Sequence, residues 1–282
     1  MSETPDSNTA QIEYWNATAG PVWVEFQEQL DRQIEPLGLE AMRVLAPSPG
    51  ERVIDIGCGC GQSTVELAAR VGPSGVVVGI DISEPMLAVA RGRRVPDASA
   101  RPSFRQADAQ ADDLGQGAFD AAFSRFGVMF FADPVAAFAN IRVALKPSAR
   151  LGFVCWRPLV ENPWMLEPMQ AALPHLPPLP PPDPTAPGPF AFADAERVRA
   201  ILTGAGFSAI RIAPFDTRIG GSSVEQTLNL AFRVGPLGAA LRERPERAGE
   251  VAEAVRAKLA QYDAPGGVLM PAAVWIVQAR NG

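Results

Sequence analysis

Three aspartates, each at the carboxyl end of a predicted strand, are the residues of this sequence best suited to do chemistry. Asp55 lies in the end of the first apolar run, and Asp81 and Asp108 follow two further runs. Ligands of open α/β sheets bind outside the carboxyl ends of the parallel strands. We therefore expect these carboxylates at one sheet edge, where they can accept hydrogen bonds from a hydroxyl- or amino-bearing ligand. For Asp108, a structural role in a loop or helix cap is the alternative.

A glycine turn follows the first acid, in the spacing Asp55-x-Gly57-x-Gly59-x-Gly61. Glycine permits a sharp turn and lets a ligand approach the main chain without meeting a Cβ atom. A helix is predicted at 62–71, so strand, turn and helix form the first unit of a nucleotide-binding α/β fold. A dinucleotide dehydrogenase points that helix at a pyrophosphate and uses GxGxxG. Asp55 would repel a pyrophosphate and favours a cationic ligand instead.

The second and third acids fit the two ends of a nucleoside. Asp81 lies near the ~20-residue offset from the glycine turn at which an acid binds ribose hydroxyls in such folds. Its carboxylate can accept from both the 2′- and the 3′-hydroxyl. Asp108 can accept from an adenine amino group, while the backbone N–H of Ala109 meets a ring nitrogen. Ile82 and Met86 are placed to contact the adenine, and a role in the core fits each of them equally well.

The acid and glycine turn resemble motif I of the class I S-adenosylmethionine-dependent methyltransferases, whose cofactor carries an ammonium and a sulfonium. Residues 119–156, FDAAFSRFGVMFFADPVAAFANIRVALKPSARLGFVCW, are similar to motifs IV to VI of small-molecule members related to the ubiquinone and menaquinone C-methyltransferases. The resemblance is close over about residues 50–156 and looser elsewhere. It implies that the glycine turn, with Cys58, touches the cofactor, and that Ser124, Arg125 and Phe126 line its methionine and methyl end.

The resemblance also implies a reaction. S-adenosylmethionine would be the cofactor, S-adenosylhomocysteine its product, and the methyl group would pass by in-line displacement to an O, N or C nucleophile of a small metabolite. Two alternatives remain open from the residues: a protein that binds S-adenosylmethionine without turnover, and a nicotinamide-dependent oxidoreductase.

Two helices are predicted ahead of the first strand, one from 21 to a break before Pro36 and one at 37–45. Helices in this position cannot join the sheet, so they must cover something. Tyr14 and Trp15 precede them in a polar neighbourhood. These aromatic residues either anchor the N-terminal segment or, as the resemblance implies, belong to a lid over the methionine end of the cofactor. The first predicted unit is a helical lid at 1–46.

Three more units complete the predicted domain organisation. The cofactor-binding core is expected at 47–156, and a proline-rich loop follows at 157–192. Its prolines exclude helix and central strand and favour a stiff, polyproline-like segment at the pocket mouth, with partner recognition as the alternative. Residues 193–282 are expected to complete the sheet, with a helical cap insert at about 220–264.

The predicted fold class is α/β: a Rossmann-like, doubly wound, mostly parallel seven-stranded sheet with an antiparallel C-terminal strand and a helical, proline-rich cap. The last three strands are predicted at 150–155, 207–212 and 273–279. A capping box at Ser222 and Glu225 is expected to open the first helix of the insert.

No catalytic residue stands out in the sequence. Methyl transfer is accelerated mainly by holding the nucleophile close and aligned, and a base is needed only if a proton must leave early. His175, the one histidine of the sequence, is the candidate base, although a lone loop histidine more often has no role.

The composition of the chain limits which kinds of partner the protein is expected to bind. The net charge is −6, with 25 Lys and Arg against 31 Asp and Glu, so nothing indicates nucleic acid as a partner. Cys58 and Cys60 are too close for an ordinary disulfide, and the three cysteines lack zinc spacing. No apolar run reaches the ~18–20 residues of a membrane span. We therefore expect a cytoplasmic protein that acts on a small molecule and holds no metal. The sequence leaves the oligomeric state open.

Overall fold

The computed structural model describes residues 8–178 and 183–282. Its strands are β1 Arg52–Ile56, β2 Val76–Asp81, β3 Ser103–Gln106, β4 Phe119–Arg125, β5 Leu145–Trp156, β6 Phe207–Ser222 and β7 Val268–Asn281. Its α-helices are α1 Thr9–Glu13, α2 Ala19–Glu25, α3 Gln27–Leu45, α4 Gln62–Val71, α5 Glu84–Arg91, α6 Pro134–Ala144, α7 Pro163–Ala172, α8 Ala195–Gly204, α9 Val224–Arg233, α10 Gly235–Glu243 and α11 Ala248–Leu259. The predictions for 1–7 and 179–182 concern residues outside the described ranges.

The strands of the described residues form one seven-stranded sheet in the order β3-β2-β1-β4-β5-β7-β6. Strands β1 to β5 pair in parallel, whereas β7 lies between β5 and β6 and is antiparallel to both. This confirms the predicted fold class, including the antiparallel C-terminal strand. The strand order reverses at the β1/β4 pair, and a crevice at the carboxyl ends of the strands is expected at such a switch point.

The central strands are buried on both faces, as their apolar runs predict. Val53, Ile54 and Phe123 have no exposed surface, and helices pack on either side of them. This burial fixes the sheet, and the sheet in turn places the ends of β1, β2 and β4 side by side.

The antiparallel pair of strands β6 and β7 is longer than predicted. β6 pairs with β7 from Phe207 against Asn281 to Ser222 against Val268, well beyond the expected 207–212 and 273–279. Much of β6 faces solvent and it contains a proline and two glycines near its end, so its sequence lacks a sustained strand signal. The ladder with β7 supplies the pairing that the pattern does not show. The capping box is formed by Ser223 and Gln226, one residue after the predicted position.

The predicted helix break at Pro36 is wrong. Helix α3 runs without interruption through that residue, and the chain bends instead at Phe26, between α2 and α3. A proline removes one helical hydrogen bond. Here Leu37 and Leu45, which have no exposed surface, hold the following turns against the sheet and offset that loss. No helix in the described ranges, α3 included, combines the length and hydropathy needed to cross a membrane.

The proline-rich segment is not loop throughout, which corrects the prediction for 157–192. Helix α7 occupies 163–172, with Pro163 at its first position, where a missing N–H costs nothing. Pro168 lies inside the helix and is buried. The apolar side of α7 packs against the cap helices, and this tertiary packing stabilises a helix that the proline content argues against.

Helices α9, α10 and α11 form the cap, and together with α7 they enclose a small apolar core of their own. Leu237, Val251, Val255 and Leu259 are buried there against Met270 of β7. The cap is therefore anchored to the start of β7, close to the carboxyl end of β5.

Asn162 joins the cap to the sheet. Its side chain has no exposed surface and lies at the start of α7. Its Oδ1 accepts from the N–H of Ala273 at 2.9 Å, and its Nδ2 donates to the carbonyls of Ala273, at 3.1 Å, and Arg157, at 3.1 Å. One amide thus satisfies backbone groups on β7 and on the chain that enters α7.

We expect Asn162→Ala to lower the free energy of unfolding by about 2–4 kcal/mol, because buried backbone groups lose their partner. Asn229→Ala provides a matched control on an exposed position of α9, with an expected change within about 0.5 kcal/mol. Urea unfolding at equilibrium measures both. Equal destabilisation by the two substitutions would contradict the role of Asn162.

Candidate functional site

A cavity of about 310 Å³ opens at the carboxyl edge of the sheet. One wall comes from the ends of β1, β2 and β4 and from the residues after β3. The N-terminal segment, the cap and Trp156 at the end of β5 form the opposite wall. Along this edge the strands follow one another as β3, β2, β1, β4 and β5, so the cavity spans several inter-strand spacings of ~4.8 Å each.

The glycine turn forms the floor of the cavity. Gly57 has φ +65°, and a Cβ atom there would lie 2.8 Å from Cα of Gly127. The turns after β1 and β4 therefore touch each other through two glycines. Gly59 has φ +54° and faces the methyl end of Met86, which a Cβ atom would meet at 2.8 Å. These glycines allow close packing of the turn against the protein as well as room for a ligand.

Asp55 lies beneath the turn and does not line the cavity, so the structure does not support direct contact with a ligand. Its carboxylate has no exposed surface. One oxygen, Oδ2, accepts from the hydroxyls of Ser63 and Thr64 at 2.7 Å each, and Oδ1 has no partner among the described residues. The acid therefore ties β1 to the first turn of α4.

Burial raises the pKa of Asp55 to about 6. Loss of hydration is the largest cause. The hydroxyl donors on Thr64 and Ser63 and the positive charge of Arg125 act in the opposite direction without cancelling it.

Asp81 lines the cavity as predicted. Its Oδ2 accepts from the N–H of Gly59 at 2.8 Å, and its Oδ1 accepts from the N–H of Ser83 at 2.8 Å. The pKa of Asp81 is raised, because burial outweighs these hydrogen bonds. Each oxygen keeps a second lone pair for a ligand hydroxyl.

The remaining residues predicted at the nucleoside end also line the cavity. They are Ile82, Met86, Asp108 and Ala109. Asp108 is almost fully buried, and its Oδ1 accepts from the N–H of Gln110 at 2.9 Å. The loop role considered for Asp108 is therefore present, in a residue that also faces the cavity.

An ion-pair network crosses from the sheet to the N-terminal helices. Asp31 of α3 accepts from Arg125 at 3.1 Å through Oδ1 and from Arg93 through Oδ2. Arg125 also donates to Gln62, and Arg93 donates to the carbonyl of Cys60. Asp31 and Arg125 both line the cavity. The sequence predicted Arg125 here and missed Asp31, whose partners are distant in sequence.

The aromatic residues ahead of the first strand pack over the cavity. Trp15 lies edge to face with Phe130 at 4.9 Å and with Trp23 at 6.0 Å between ring centroids. The hydroxyl of Ser83 donates to the carbonyl of Trp15 at 2.8 Å, so Ser83 fastens this segment rather than capping α5 with its side chain. Asn16 adds a hydrogen bond to the carbonyl of Ile82 at 2.9 Å. The segment is thus attached to the turn after β2, and its Tyr14 and Trp15 line the cavity.

The half of the cavity beyond the strand ends is aromatic. Phe126 and Trp156 are stacked at 4.2 Å with 10° between their planes, and Trp164 follows at 5.0 Å from Trp156. Arg233 and Arg242 of the cap also line the cavity. Sequence reasoning missed these residues except Phe126, since nothing in their local pattern distinguishes them from core or surface positions.

Most of the predicted site residues are brought together. The ones that line the cavity are Tyr14, Trp15, Gly57, Cys58, Gly59, Asp81, Ile82, Met86, Asp108, Ala109, Arg125 and Phe126. Three do not: Asp55, Gly61 and Ser124 lie behind the wall, where Ser124 donates to the carbonyl of Ile56 at 2.7 Å. The candidate base, His175, also lies outside the lining, in a short turn after α7.

Asp31, Asp81 and Asp108 are the carboxylates among the described residues that line the cavity. No histidine, lysine or glutamate is found among the described residues that line it. Cys58 and Cys60 are free and buried, and burial raises the pKa of each thiol, so neither is poised as a thiolate. Nor do the described residues contain a cluster of His, Cys, Asp or Glu that could hold a metal ion.

The raised pKa of Asp55 makes a prediction about stability. The native protein keeps this proton up to about pH 6, whereas the unfolded chain loses it near the ordinary value of 3.8. The stabilising contribution is complete below the unfolded value and is lost as the pH rises through the native one. Asp55→Asn removes that dependence. We expect the free energy of unfolding of the variant, relative to the parent, to rise by about 2 kcal/mol between about pH 4 and pH 7.

Urea unfolding across this pH range measures the difference. Asp97→Asn, at an exposed position, serves as the control and should show no such slope. A difference between Asp55→Asn and the parent that does not change with pH would contradict the interpretation.

Comparisons with known proteins bear on this geometry. The family model of a methyltransferase domain matches residues 53–148. Nocamycin O-methyltransferase of Saccharothrix syringae is 32% identical over 117 residues, which are 42% of this chain and 42% of that protein. Demethylmenaquinone methyltransferase of Lactococcus lactis subsp. lactis is 32% identical over 112 residues, 40% of this chain and 44% of that protein. The matches thus span less than half the length of these two relatives.

A solved structure shows the same fold over a larger part of the chain. A SAM-dependent methyltransferase from Aquifex aeolicus superposes with a TM-score of 0.51 at 19% identity, covering 71% of this chain and 93% of its own. The fold, the spacing of Asp55 and the glycine turn, and the residues matched by the family model all agree with a methyltransferase domain. Residues 53–148 thus match the model of a methyltransferase domain, and the chain shares its fold with a solved methyltransferase.

Proposed function

We propose that this protein transfers a methyl group from S-adenosylmethionine to an O, N or C nucleophile of a small metabolite held in the cavity. One observation carries the proposal. A single cavity joins a polar half at the strand ends, with Asp81, Asp108 and the glycine turn, to an aromatic half under the cap. The first half suits a nucleoside, and the second leaves room for an acceptor.

In the proposed complex the nucleoside lies along β2 and β3. The Asp81 carboxylate accepts from the ribose hydroxyls through the lone pairs that Gly59 and Ser83 leave free. Asp108 and the N–H of Ala109 meet the edge of the adenine, and Met86 packs against its face. The order of these residues along the sheet edge matches the order of groups in the cofactor.

The methionine end then falls between the glycine turn and the N-terminal segment. Asp31 and Arg125 place a negative and a positive group in this part of the cavity wall. A methionine moiety carries an ammonium and a carboxylate, so its charges are complementary to this pair. We assign the N-terminal segment up to 46, with Tyr14 and Trp15, as a lid over this end.

When bound, S-adenosylmethionine would supply the methyl group. The nucleophile would give an electron pair to the methyl carbon as the carbon–sulfur bond breaks, which leaves a neutral thioether, and a proton carried by the nucleophile would pass to solvent. Positioning and exclusion of water are the main contributions that a protein can make to this displacement. Aromatic walls supply both, since Phe126 and Trp156 form an apolar surface next to Arg125 at the end of β4.

Asp55 argues against a nicotinamide dinucleotide in the same cavity. Its buried carboxylate lies at the first turn of α4, where a pyrophosphate would need the positive end of the helix. The aromatic half argues against a protein that only stores the cofactor, because it extends the cavity beyond the space that the nucleoside fills.

Isothermal titration with S-adenosylmethionine, S-adenosylhomocysteine and NADH tests the proposal. We expect micromolar binding of the first two and none of NADH. Tight binding of NADH would favour the oxidoreductase. Release of S-adenosylhomocysteine in a screen of aromatic acceptors then tests turnover, and binding without release from any acceptor would favour the storage protein.

We expect Asp81→Ala to weaken S-adenosylmethionine affinity by about 1–3 kcal/mol, because charge-assisted hydrogen bonds to the ribose are lost. Titration of the variant gives this value directly. Asp97→Ala, an exposed aspartate away from the cavity, is the matched control and should bind as the parent does. Unchanged affinity in Asp81→Ala would contradict the ribose assignment.

A further inference from the structure

We propose that the acceptor is a flat aromatic compound that carries a carboxylate, and that Arg242 binds this carboxylate. The proposal rests on the proposed function, since it names the compound that would occupy the aromatic half of the same cavity. Three features of that half carry it: the shape of its walls, the distribution of its charges and the position of Arg242 on its helix.

The walls favour a planar ring system. Phe126 and Trp156 are stacked nearly parallel, and Trp164 continues the aromatic surface at 50° to Trp156. Phe130 and Trp23 contribute further rings to the lining. Aromatic groups pack on one another in offset or edge-to-face arrangements that an aliphatic ligand cannot match. A flat, conjugated acceptor makes the largest contact with such a surface.

The acidic side chains of the cavity all belong to its other half. Asp81 and Asp108 lie at the nucleoside end, and Asp31 is paired with Arg93 and Arg125. The other charged residues of the described lining, Arg233 and Arg242, belong to the cap, whose helix α10 packs against α7 beside Trp164. A cationic acceptor would find no counter-charge there, whereas an anionic one would.

The two arginines differ in what already binds them. Arg233 donates to Glu25 at 2.8 Å, and its guanidinium lies 5.7 Å from the centre of the Phe26 ring. Arg242 donates to the carbonyl of Arg233 at 3.3 Å, and no carboxylate of the described residues lies within ion-pair distance of it. A guanidinium carries five N–H donors in a fork that matches both oxygens of a carboxylate. Arg242 therefore has the capacity to bind one.

The sequence of α10 directs Arg242 at the cavity. Pro236, Ala239 and Arg242 recur every three residues and all line the cavity. Residues three apart lie on one face of a helix. The first two are small or apolar, so they leave space beneath the guanidinium, and Arg242 alone brings charge to this face. Arg244 lies just beyond the end of the helix and outside the lining, with its guanidinium on the carbonyl of Glu243.

A matched pair of probes tests the proposal: anthraquinone-2-carboxylate and anthraquinone-2-carboxamide, which have the same ring system and differ in charge. Isothermal titration of each, with and without saturating S-adenosylhomocysteine, gives their affinities. We expect the parent protein to bind the carboxylate at least tenfold more tightly than the amide. Arg242→Gln should reduce this preference to less than threefold, and Arg244→Gln should leave it unchanged.

The outcomes distinguish a failure of this proposal from a failure of the proposed function on which it rests. Equal affinity for the two probes, no binding of the carboxylate, or a preference that survives Arg242→Gln would each overturn the role of Arg242 as the site of a carboxylate. S-adenosylhomocysteine is titrated separately into the parent and both variants. Its failure to bind the parent would count against the proposed function, while the probe preference measured without it still decides the present question. Unchanged S-adenosylhomocysteine affinity in Arg242→Gln shows that the variant is folded.

Discussion

The buried carboxylate of Asp55, which has no exposed surface, is the constraint on which the site depends. Burying such a group is unfavourable unless hydrogen bonds compensate for the lost hydration. Two hydroxyls from the first turn of α4 and the nearby charge of Arg125 offset part of this cost. They hold strand, glycine turn and helix in one arrangement, and that arrangement leaves the N–H of Gly59 directed at Asp81. The shape of the cavity floor thus follows from an acid that is not part of its surface.

Charge is divided between the two halves of the cavity, and the division follows the architecture. The acids come from the strand ends of the doubly wound sheet, where the chain turns back toward a helix. The free positive charge comes from the cap, which is inserted between β6 and β7. Asp31 stands between these regions and is neutralised by two arginines. The half at the strand ends and the half under the cap therefore differ in electrostatic character as well as in shape.

The sequence predicted the site residues at the strand ends better than those on the opposite wall of the cavity. Asp81, Asp108 and the glycine turn belong to local patterns in which an apolar run, a small residue and an acid are close neighbours. Asp31 and Arg242 have no such local signal, because what makes them part of the site is contact with residues far along the chain. The role first given to Asp55 was inaccurate for the same reason: its spacing indicated the edge of the sheet but not which side of the turn it faces.

Secondary structure was missed where tertiary packing opposes local preference. Pro36 and Pro168 lie inside helices because buried side chains on the neighbouring turns stabilise those helices more than one absent hydrogen bond destabilises them. The long β6/β7 ladder is a second case, in which hydrogen bonding to β7 stabilises a strand, β6, whose mostly solvent-facing sequence lacks a strand pattern. Packing partners of this kind are not visible in a single stretch of sequence.

The hydrogen bonds from Ser83 to Trp15 and from Asn16 to Ile82 tie the N-terminal segment to the turn that directly follows Asp81. A ligand bound at Asp81 would thus lie beside the same turn that holds the N-terminal segment in place. The same N-terminal segment is also tied to the cap, because Arg233 of α9 donates to Glu25 of α2 at 2.8 Å and Phe26 packs with Leu230. One segment therefore joins the turn after β2 to the cap, and a displacement of it would change the walls of both halves of the cavity together.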